Sequence, residues 1–167
     1  EQTIGSLDSR SVQIEPIDEP QVEFTISRQQ AIKSYRSLVA ITEDGIGTGN
    51  EIRRLADLEL EASLDSRFSD DATDQKQGEQ ESQQAIRGYE RYLKRYPNRK
   101  DNDYILYQLS RAYAIDAKPD KSLRLLNQLV SNYPESHFID EVQFRRGEKL
   151  FVLRQYEQAE AAYSVIV

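Results

Sequence analysis

The side chains that enzymes use most often for catalysis are scarce in this 167-residue chain. There is one histidine, His137, there is no cysteine, and no serine lies in the sequence context of a nucleophile elbow. The acids Asp140 and Glu141 fall in the first turn of a predicted helix, where the helix dipole accounts for them. Because no nucleophile, base and orienting group can be combined, we expect a protein that is not an enzyme and has no cofactor.

Four aspartates lie in a polar stretch at about residues 63–81, and four carboxylates could bind calcium. Their spacing does not follow the alternating Asp-x-Asp-x-Asp-Gly pattern of a calcium loop. The residues around them are mainly serine, threonine, glutamine and glycine, which favour a flexible, solvated segment. We therefore predict a flexible loop and no metal site; the aspartates are Asp65, Asp70, Asp71 and Asp74.

The charge of the chain limits the partners that it is expected to bind. The formal net charge is −7 and the isoelectric point is near 4.9, whereas nucleic acids and anionic membranes attract basic surfaces. We expect neither as the main partner, and no apolar run reaches the ~18 residues of a membrane span. One local basic cluster complements a helix C-terminal dipole or, alternatively, binds an acidic partner; it comprises Arg91, Lys94, Arg95, Arg99 and Lys100.

The chain repeats itself with a period of 37 residues, since Tyr96-Pro97 returns as Tyr133-Pro134. A period of this length built from paired helices is typical of an α-solenoid, in which each helical hairpin packs on its neighbours. The small residues Gly147 and Ala159 are predicted to lie where the two helices of a hairpin approach closely. Other positions return at the same shift, in the series Ala85, Ser122, Ala159 and Tyr89, Leu126, Tyr163.

An insertion interrupts the first repeat. Residues 29–35 match residues 83–89 at a shift of 54, which leaves 17 extra residues. The spacing from Ala31 to Ala56 equals that from Ala85 to Ser110, so the insertion lies inside one hairpin, at about residues 63–81. Seven helices are predicted, at about 27–41, 50–63, 82–96, 102–116, 119–132, 137–153 and 156–167.

Residues 1–26 are predicted to form an extended N-terminal arm, followed by the solenoid at residues 27–167. Apolar residues in this arm partly alternate with polar ones, and Pro16 and Pro20 hold its middle extended. The arm is either disordered or lies along the solenoid and covers its first helix.

The recurring positions form a pattern of small and apolar residues, namely Leu109, Ser110, Tyr113, Ser122, Leu126, Leu129 and Pro134, and then Gly147, Leu150, Ala159, Tyr163 and Ile166. Over about residues 28–167 this pattern resembles the tetratricopeptide repeat family, which implies an all-α solenoid of stacked helical hairpins. The chain differs from the usual family pattern in its 37-residue period, in its insertion and in having no tryptophan.

The resemblance also implies where a partner would bind. In this family the first helices of the hairpins line a concave groove, and aromatic residues and arginine are common in binding hot spots. The alternative for Tyr107, Phe144 and Phe151 is that they pack against neighbouring repeats. Repeats that hold a peptide's terminal carboxylate use lysine and asparagine at these groove positions. This sequence lacks that set, so such a ligand is not expected. The groove positions implied are Arg53, Asp57, Tyr104, Tyr107, Arg111, Glu141, Phe144, Glu148 and Phe151.

A narrower resemblance concerns the cell compartment. The Tyr-Pro-x-Ser ending of one repeat and residues 144–151 resemble repeats of bacterial cell-envelope proteins. These include the coordinator attached to the Tol-Pal system, the outer-membrane assembly lipoprotein and repeat proteins of TonB-type transport clusters. The resemblance implies a periplasmic or outer-membrane-associated protein of a Gram-negative bacterium; a cytoplasmic scaffold is the alternative.

Together these patterns predict a non-enzymatic scaffold that binds a partner protein or peptide in the groove of a solenoid. The alternative is a structural spacer or self-assembly segment of a longer repeat protein. Because the chain has no methionine, Glu1 is expected to follow processing or excision. The apolar last helix, with Tyr163, Ile166 and Val167, is expected to pack on a further repeat or on a second copy.

Overall fold

The structure, a computed structural model, describes residues 21–42 and 48–166, with side chains from residue 27 onward. Within these residues there are seven α-helices and no strand, which confirms the all-α class. The helices are α1 (Gln21–Thr42), α2 (Asn50–Arg67), α3 (Ala72–Arg95), α4 (Asn102–Ile115), α5 (Pro119–Asn132), α6 (Ile139–Val152) and α7 (Tyr156–Tyr163).

The first helix begins earlier than predicted. The extended arm expected at residues 1–26 is wrong for residues 21–26, which form the first turns of α1, and residues 1–20 lie outside the described residues. The helix begins directly after Pro20, and no proline follows before Pro97, so no helix breaker separates residue 21 from the rest of α1. The short alternating run that suggested an extended chain did not distinguish a strand from a helix.

The helices stack in chain order, as a solenoid requires. Each helix packs on the next one along the chain, and α2 also packs on α4. The core is divided in the same order: one cluster joins α1 to α4, a second joins α4, α5 and α6, and a third joins α6 and α7. The solenoid architecture predicted from the 37-residue period is therefore confirmed.

The turns within successive hairpins repeat in backbone conformation as well as in sequence. Ala117 has φ = 53° and Arg154 has φ = 60°, and these two residues are one period apart. After each of them an amide reaches back to the first helix: Lys118 N donates to Tyr113 O at 2.9 Å, and Gln155 N donates to Leu150 O at 2.9 Å. This left-handed C-terminal motif ends α4 and α6 in the same way.

Several helix ends are set by the local chemistry of the sequence. The helices α3 and α5 end just before Tyr96 and Tyr133, because the proline that follows each tyrosine disfavours α conformation there. Pro119 occupies the first position of α5, where its fixed φ suits the start of a helix and its missing amide donor is not needed. Ser136 does not cap α6, since Phe138 holds the N-cap position. Ser136 Oγ instead donates to Asp103 Oδ2 at 2.6 Å, which ties this turn to α4.

The last helix is shorter than predicted, because α7 ends at Tyr163 and the expected helix ran to residue 167. Ser164 Oγ donates to Ala161 O at 3.0 Å, and Ile166 N donates to Tyr163 O at 3.2 Å. A serine that bonds to the backbone in this way competes with continued helix, which accounts for the turn.

The insertion lengthens two helices and does not form the flexible loop that was predicted at residues 63–81. Since α2 continues to Arg67 and α3 begins at Ala72, only residues 68–71 lie between them. Glutamate and glutamine, which are frequent in this stretch, are good helix formers despite their polarity. Asp71 caps α3 by accepting a hydrogen bond from Thr73 N at 2.6 Å, and this bond lowers the pKa of the Asp71 carboxyl.

Candidate functional site

The first helices of the three hairpins, α2, α4 and α6, lie side by side and form one side of the solenoid, which we call the inner face. Its side chains come from positions three or four residues apart on each helix, because such residues share one helical face. Four predicted groove residues, Arg53, Asp57, Tyr104 and Arg111, come together between α2 and α4.

At the α2–α4 contact a buried carboxylate organises two tyrosines. Asp57 is only 8% exposed, and its Oδ1 accepts a hydrogen bond from Tyr89 Oη of α3 at 2.7 Å. Burial raises the pKa of Tyr104, and the nearby Asp57 carboxylate raises it further. Burial and the same carboxylate also raise the pKa of Tyr89. Both phenols therefore stay neutral and act as hydrogen-bond donors at physiological pH.

Arg53 lies over Tyr104, with its guanidinium carbon 5.6 Å from the ring centroid. This stacking is a cation–π contact between α2 and α4. The Arg53 Nε atom is buried and has no hydrogen-bond acceptor among the described residues. A buried donor without an acceptor is unfavourable.

At the α4–α6 contact Tyr107 is the central residue, and it is only 5% exposed. Its ring stacks on Phe138 with centroids 5.1 Å apart and planes inclined by 9°. The guanidinium carbons of Arg111 and Arg145 each lie 5.8 Å from the Tyr107 centroid. Tyr107 therefore belongs to the core between two hairpins, the alternative that the sequence left open, and it supports two arginines at the surface.

Ionic contacts hold Arg145 in place beside this tyrosine. Arg145 donates to Glu141 Oε1 from Nε at 3.0 Å and from an Nη atom at 2.7 Å, and Nε also lies 3.3 Å from Tyr107 Oη. Burial raises the pKa of Tyr107. The pKa of Glu141 is lowered, chiefly by the hydrogen bond that Tyr107 donates to this carboxylate. The Glu141 carboxylate is thus stabilised in its charged form.

The groove residues predicted on α6 are more exposed than those on α2 and α4. Phe144 is 51% exposed and packs on Tyr163, with centroids 5.9 Å apart. Phe151 is 59% exposed and meets Tyr156 edge to face at 5.3 Å. Glu148 lies between the two phenylalanines on the same helical face and is also exposed. Phe144 and Phe151 form an open, apolar extension of the inner face, and the Glu148 carboxylate lies between them.

Sequence reasoning missed three residues of the inner face: Arg145, Phe138 and Gln108. Gln108 accepts a hydrogen bond from Arg111 at 3.0 Å, and Phe138 supplies the ring under Tyr107. The spacing of Glu141 and Arg145 is that of an i,i+4 ion pair, and this signal could have identified Arg145. No sequence signal identifies Phe138, because its contact with Tyr107 depends on how two hairpins stack.

The residues with catalytic potential are dispersed. His137 is exposed, and its ring lies against that of Phe138 with centroids 3.7 Å apart. In the described part of the chain, no group of three or more His, Asp or Glu side chains could hold a metal ion. Over the same residues, no helix has the length and apolar character needed to cross a membrane.

Stacked helical hairpins with polar and aromatic side chains along their first helices define an α-solenoid repeat protein. The family model "Tetratricopeptide repeat" matches residues 72–99 and 104–136, which cover α3, α4 and α5. Over these residues the chain is similar to tetratricopeptide repeats, in agreement with the resemblance seen in the sequence, and such repeats generally mediate interactions between proteins. No curated protein matches the chain.

Proposed function

We propose that the protein is a non-enzymatic scaffold that binds a partner protein or peptide along its inner face. The observation that carries this proposal is the row of arginines stacked on tyrosines across successive first helices. Arg53 stacks on Tyr104, and Arg111 and Arg145 both stack on Tyr107. Tyrosine and arginine are enriched in binding hot spots, and stacking restricts the arginines before a partner arrives.

Two kinds of residue have different parts in this proposal. Arg53, Tyr104 and Arg111 are partly exposed, so they would touch the partner directly. Asp57 and Tyr107 are buried, so they would position the others and would not themselves form the contact surface. The partly exposed guanidinium group of Arg53 favours a partner that presents a carbonyl or carboxylate oxygen at this point.

The proposal extends to the cell envelope of a Gram-negative bacterium, with the periplasm or the outer membrane as the location. Its support is the sequence resemblance of residues 144–151 and of the Tyr-Pro-x-Ser ending alone. The tetratricopeptide family match carries no information on the compartment, so the location stays a prediction.

Selection from a phage library of random dodecapeptides tests the inner face. We expect peptides selected on the full chain to lose about tenfold or more in affinity for the double variant Arg53→Ala, Arg111→Ala, because two stacked hot-spot side chains are removed. Fluorescence anisotropy measures the affinities. The matched control is Arg124→Ala, which removes an exposed arginine on α5, away from the inner face.

Helical circular dichroism and the melting temperature of each variant show whether it folds. Peptides that bind the double variant as tightly as the unaltered chain contradict the proposal. Equal losses in the double variant and in the Arg124 control contradict it as well, because the effect would then be one of total charge.

A second candidate function, self-assembly, is favoured by the repeat equivalence of Tyr107 and Phe144. These residues are one period apart, and Tyr107 is covered by Phe138 of the following hairpin, whereas Phe144 and Phe151 are open. We propose that the same surface of a second copy of the chain covers Phe144 and Phe151. The contact would continue the hairpin stacking already seen between α4 and α6.

Sedimentation equilibrium tests self-assembly. We expect the chain to associate at tens of micromolar and the variant Phe151→Glu to stay monomeric, because a charge in an apolar interface is strongly unfavourable. The control Phe68→Glu changes a phenylalanine that is also exposed but lies at the far tip of the α2–α3 hairpin. A chain that is monomeric at every concentration contradicts this second candidate.

A further inference from the structure

The helix α1 has an apolar face that is more open than the equivalent face of α3. At the 54-residue shift found in the sequence, three positions of α1 correspond to three positions of α3, namely Ala31, Tyr35 and Leu38 to Ala85, Tyr89 and Tyr92. The three α3 residues are 0% exposed, whereas Leu38 is 41% exposed and the other two α1 residues are only partly buried. We call Ala31, Tyr35 and Leu38 the open face of α1.

The repeat accounts for the exposure of this face. The second helix of a hairpin packs one face on the first helix of its own hairpin and another face on the next hairpin. The next-hairpin face of α1 is filled, since Ile32 and Val39 are buried in one cluster with Ile52 of α2. The open face is equivalent to the face that α3 packs on its own first helix. Because α1 is the first of the described helices, none of them occupies that first-helix position.

The sequence before α1 does not supply this first helix at either spacing that the chain uses. In the short connection of α4 and α5 the turn is at residues 116–118, which correspond to residues 25–27, and these are helical in α1. In the longer α2–α3 connection the small residue of the first helix is Ala56, which corresponds to Gln2. Since Gln2 is not small, we expect a helix from another chain to take this position.

The tyrosine in the open face indicates an acidic residue on the covering helix. In the α2–α3 hairpin Tyr89 Oη donates to Asp57 Oδ1 at 2.7 Å, and Asp57 directly follows the small residue Ala56. Tyr35 is the equivalent of Tyr89, and its hydroxyl has no hydrogen bond to a described residue. A carboxylate that directly follows a small residue of the covering helix would accept this hydrogen bond.

The other two hairpins show the same association between tyrosine and an acid. The helix α7 has Tyr163 at this position, and in its first helix the small residue Gly147 is followed by Glu148. The helix α5 instead has Leu126, which has no hydroxyl, and Arg111 follows the small residue of α4. Within this chain, an acid therefore accompanies tyrosine and does not accompany leucine.

The residue beside this tyrosine limits the size of the small residue. On α3 the residue before the tyrosine is Gly88, and a Cβ atom there would lie 2.9 Å from the Cβ atom of Ala56. On α1 the equivalent residue is Ser34, which has a Cβ atom. A covering helix that approaches α1 as closely as α2 approaches α3 therefore has space for glycine and not for alanine.

We propose that the open face of α1 binds an amphipathic α-helix of a partner protein, which takes the place of a first helix. This helix runs antiparallel to α1 and has a glycine that is directly followed by an acidic residue. It would lie beside α2 and lengthen the row of first helices by one. The open face shares no residue with the inner face, so different variants test the two surfaces.

Binding of a synthetic helix to the full chain tests this proposal. The probe is a fluorescein-labelled peptide with the sequence of residues 50–67, which form α2, and with the change Ala56→Gly to make room for Ser34. The control peptide has the further change Asp57→Ala. We expect it to bind about tenfold more weakly, because the hydrogen bond from Tyr35 to the carboxylate is lost although alanine favours the helix. Fluorescence anisotropy measures both affinities.

Three variants of the chain show whether the probe binds to the open face. Tyr35→Phe should weaken binding of the probe about tenfold and leave the affinity for the control peptide unchanged, since only the probe has the acceptor. Leu38→Glu should weaken binding of both peptides by about tenfold or more, because it places a charge in the apolar contact. Ala40→Glu adds the same charge on the opposite side of α1, where the side chain is exposed, and should bind both peptides normally. Circular dichroism shows whether each variant folds.

Absence of probe binding, equal affinity for the two peptides, or an equal effect of Tyr35→Phe on both would overturn the proposal. Probe binding by a chain that lacks residues 1–20, without binding by the full chain, would overturn it in favour of those residues as the occupant. Self-association that Leu38→Glu abolishes, without probe binding, would overturn it in favour of a second copy. The inner-face variant Arg53→Ala, Arg111→Ala should bind the probe normally, so failure of one surface is distinguishable from failure of the other.

Discussion

Replacing Tyr89 with alanine will lower the free energy of unfolding by about 3–5 kcal/mol, the range for removing a large aromatic side chain from a core. Tyr89 is fully buried at the junction of α2, α3 and α4. Folded domains are stable by only about 5–15 kcal/mol, so this variant should lose a large fraction of the stability of the domain. Urea denaturation followed by circular dichroism measures the loss.

Tyr89→Phe separates the hydrogen bond from the packing. It keeps the ring but removes the donor that Asp57 Oδ1 accepts at 2.7 Å. Because Asp57 is buried, we expect a cost of about 1–3 kcal/mol. Tyr92→Phe is the matched control, since Tyr92 is equally buried but its Oη lies 3.3 Å from the more exposed Asp101. Equal costs for the two phenylalanine variants would contradict a special role for the Tyr89–Asp57 bond.

The same two residues show how far the sequence could predict the fold. The 37-residue period placed Tyr89 at a position equivalent to Leu126 and Tyr163, and all three positions do face the first helix of their own hairpin. Periodicity reports which side of a helix is buried, so it predicted the hairpins well. Asp57 was predicted as a groove residue from its place in the repeat, yet it is buried and bonded to Tyr89. A tertiary hydrogen bond of this kind leaves no mark on local sequence.

The insertion shows a second limit of prediction from the sequence. Residues 63–81 are polar and contain four aspartates, and composition alone favoured a loop. Helix formation there depends on contacts between the lengthened helices α2 and α3. One such contact is the close approach of Gly78 to Ser66.

The close approach of α6 and α7 depends on the pairing of a glycine with a large ring. A Cβ atom at Gly147 would overlap the ring of Tyr163, which confirms that a small residue is needed here. Gly147→Ser should therefore lower the free energy of unfolding by about 1–2 kcal/mol. Overpacking a core costs about 1–3 kcal/mol, and replacing a glycine within a helix recovers about 0.5 kcal/mol of this.

In the preceding hairpin the same contact pairs a residue larger than glycine with a side chain smaller than tyrosine. One period earlier, on α4 and α5, the equivalent pair is Ser110 and Leu126, and both are buried. The double variant Gly147→Ser, Tyr163→Leu recreates that pair, so we expect it to recover most of the stability that Gly147→Ser loses. The two substitutions should be strongly non-additive in a double-mutant cycle, because one side chain occupies the space that the other vacates. Thermal and urea unfolding of the four proteins measures the coupling, and additive effects would show that α6 and α7 do not pack through this contact.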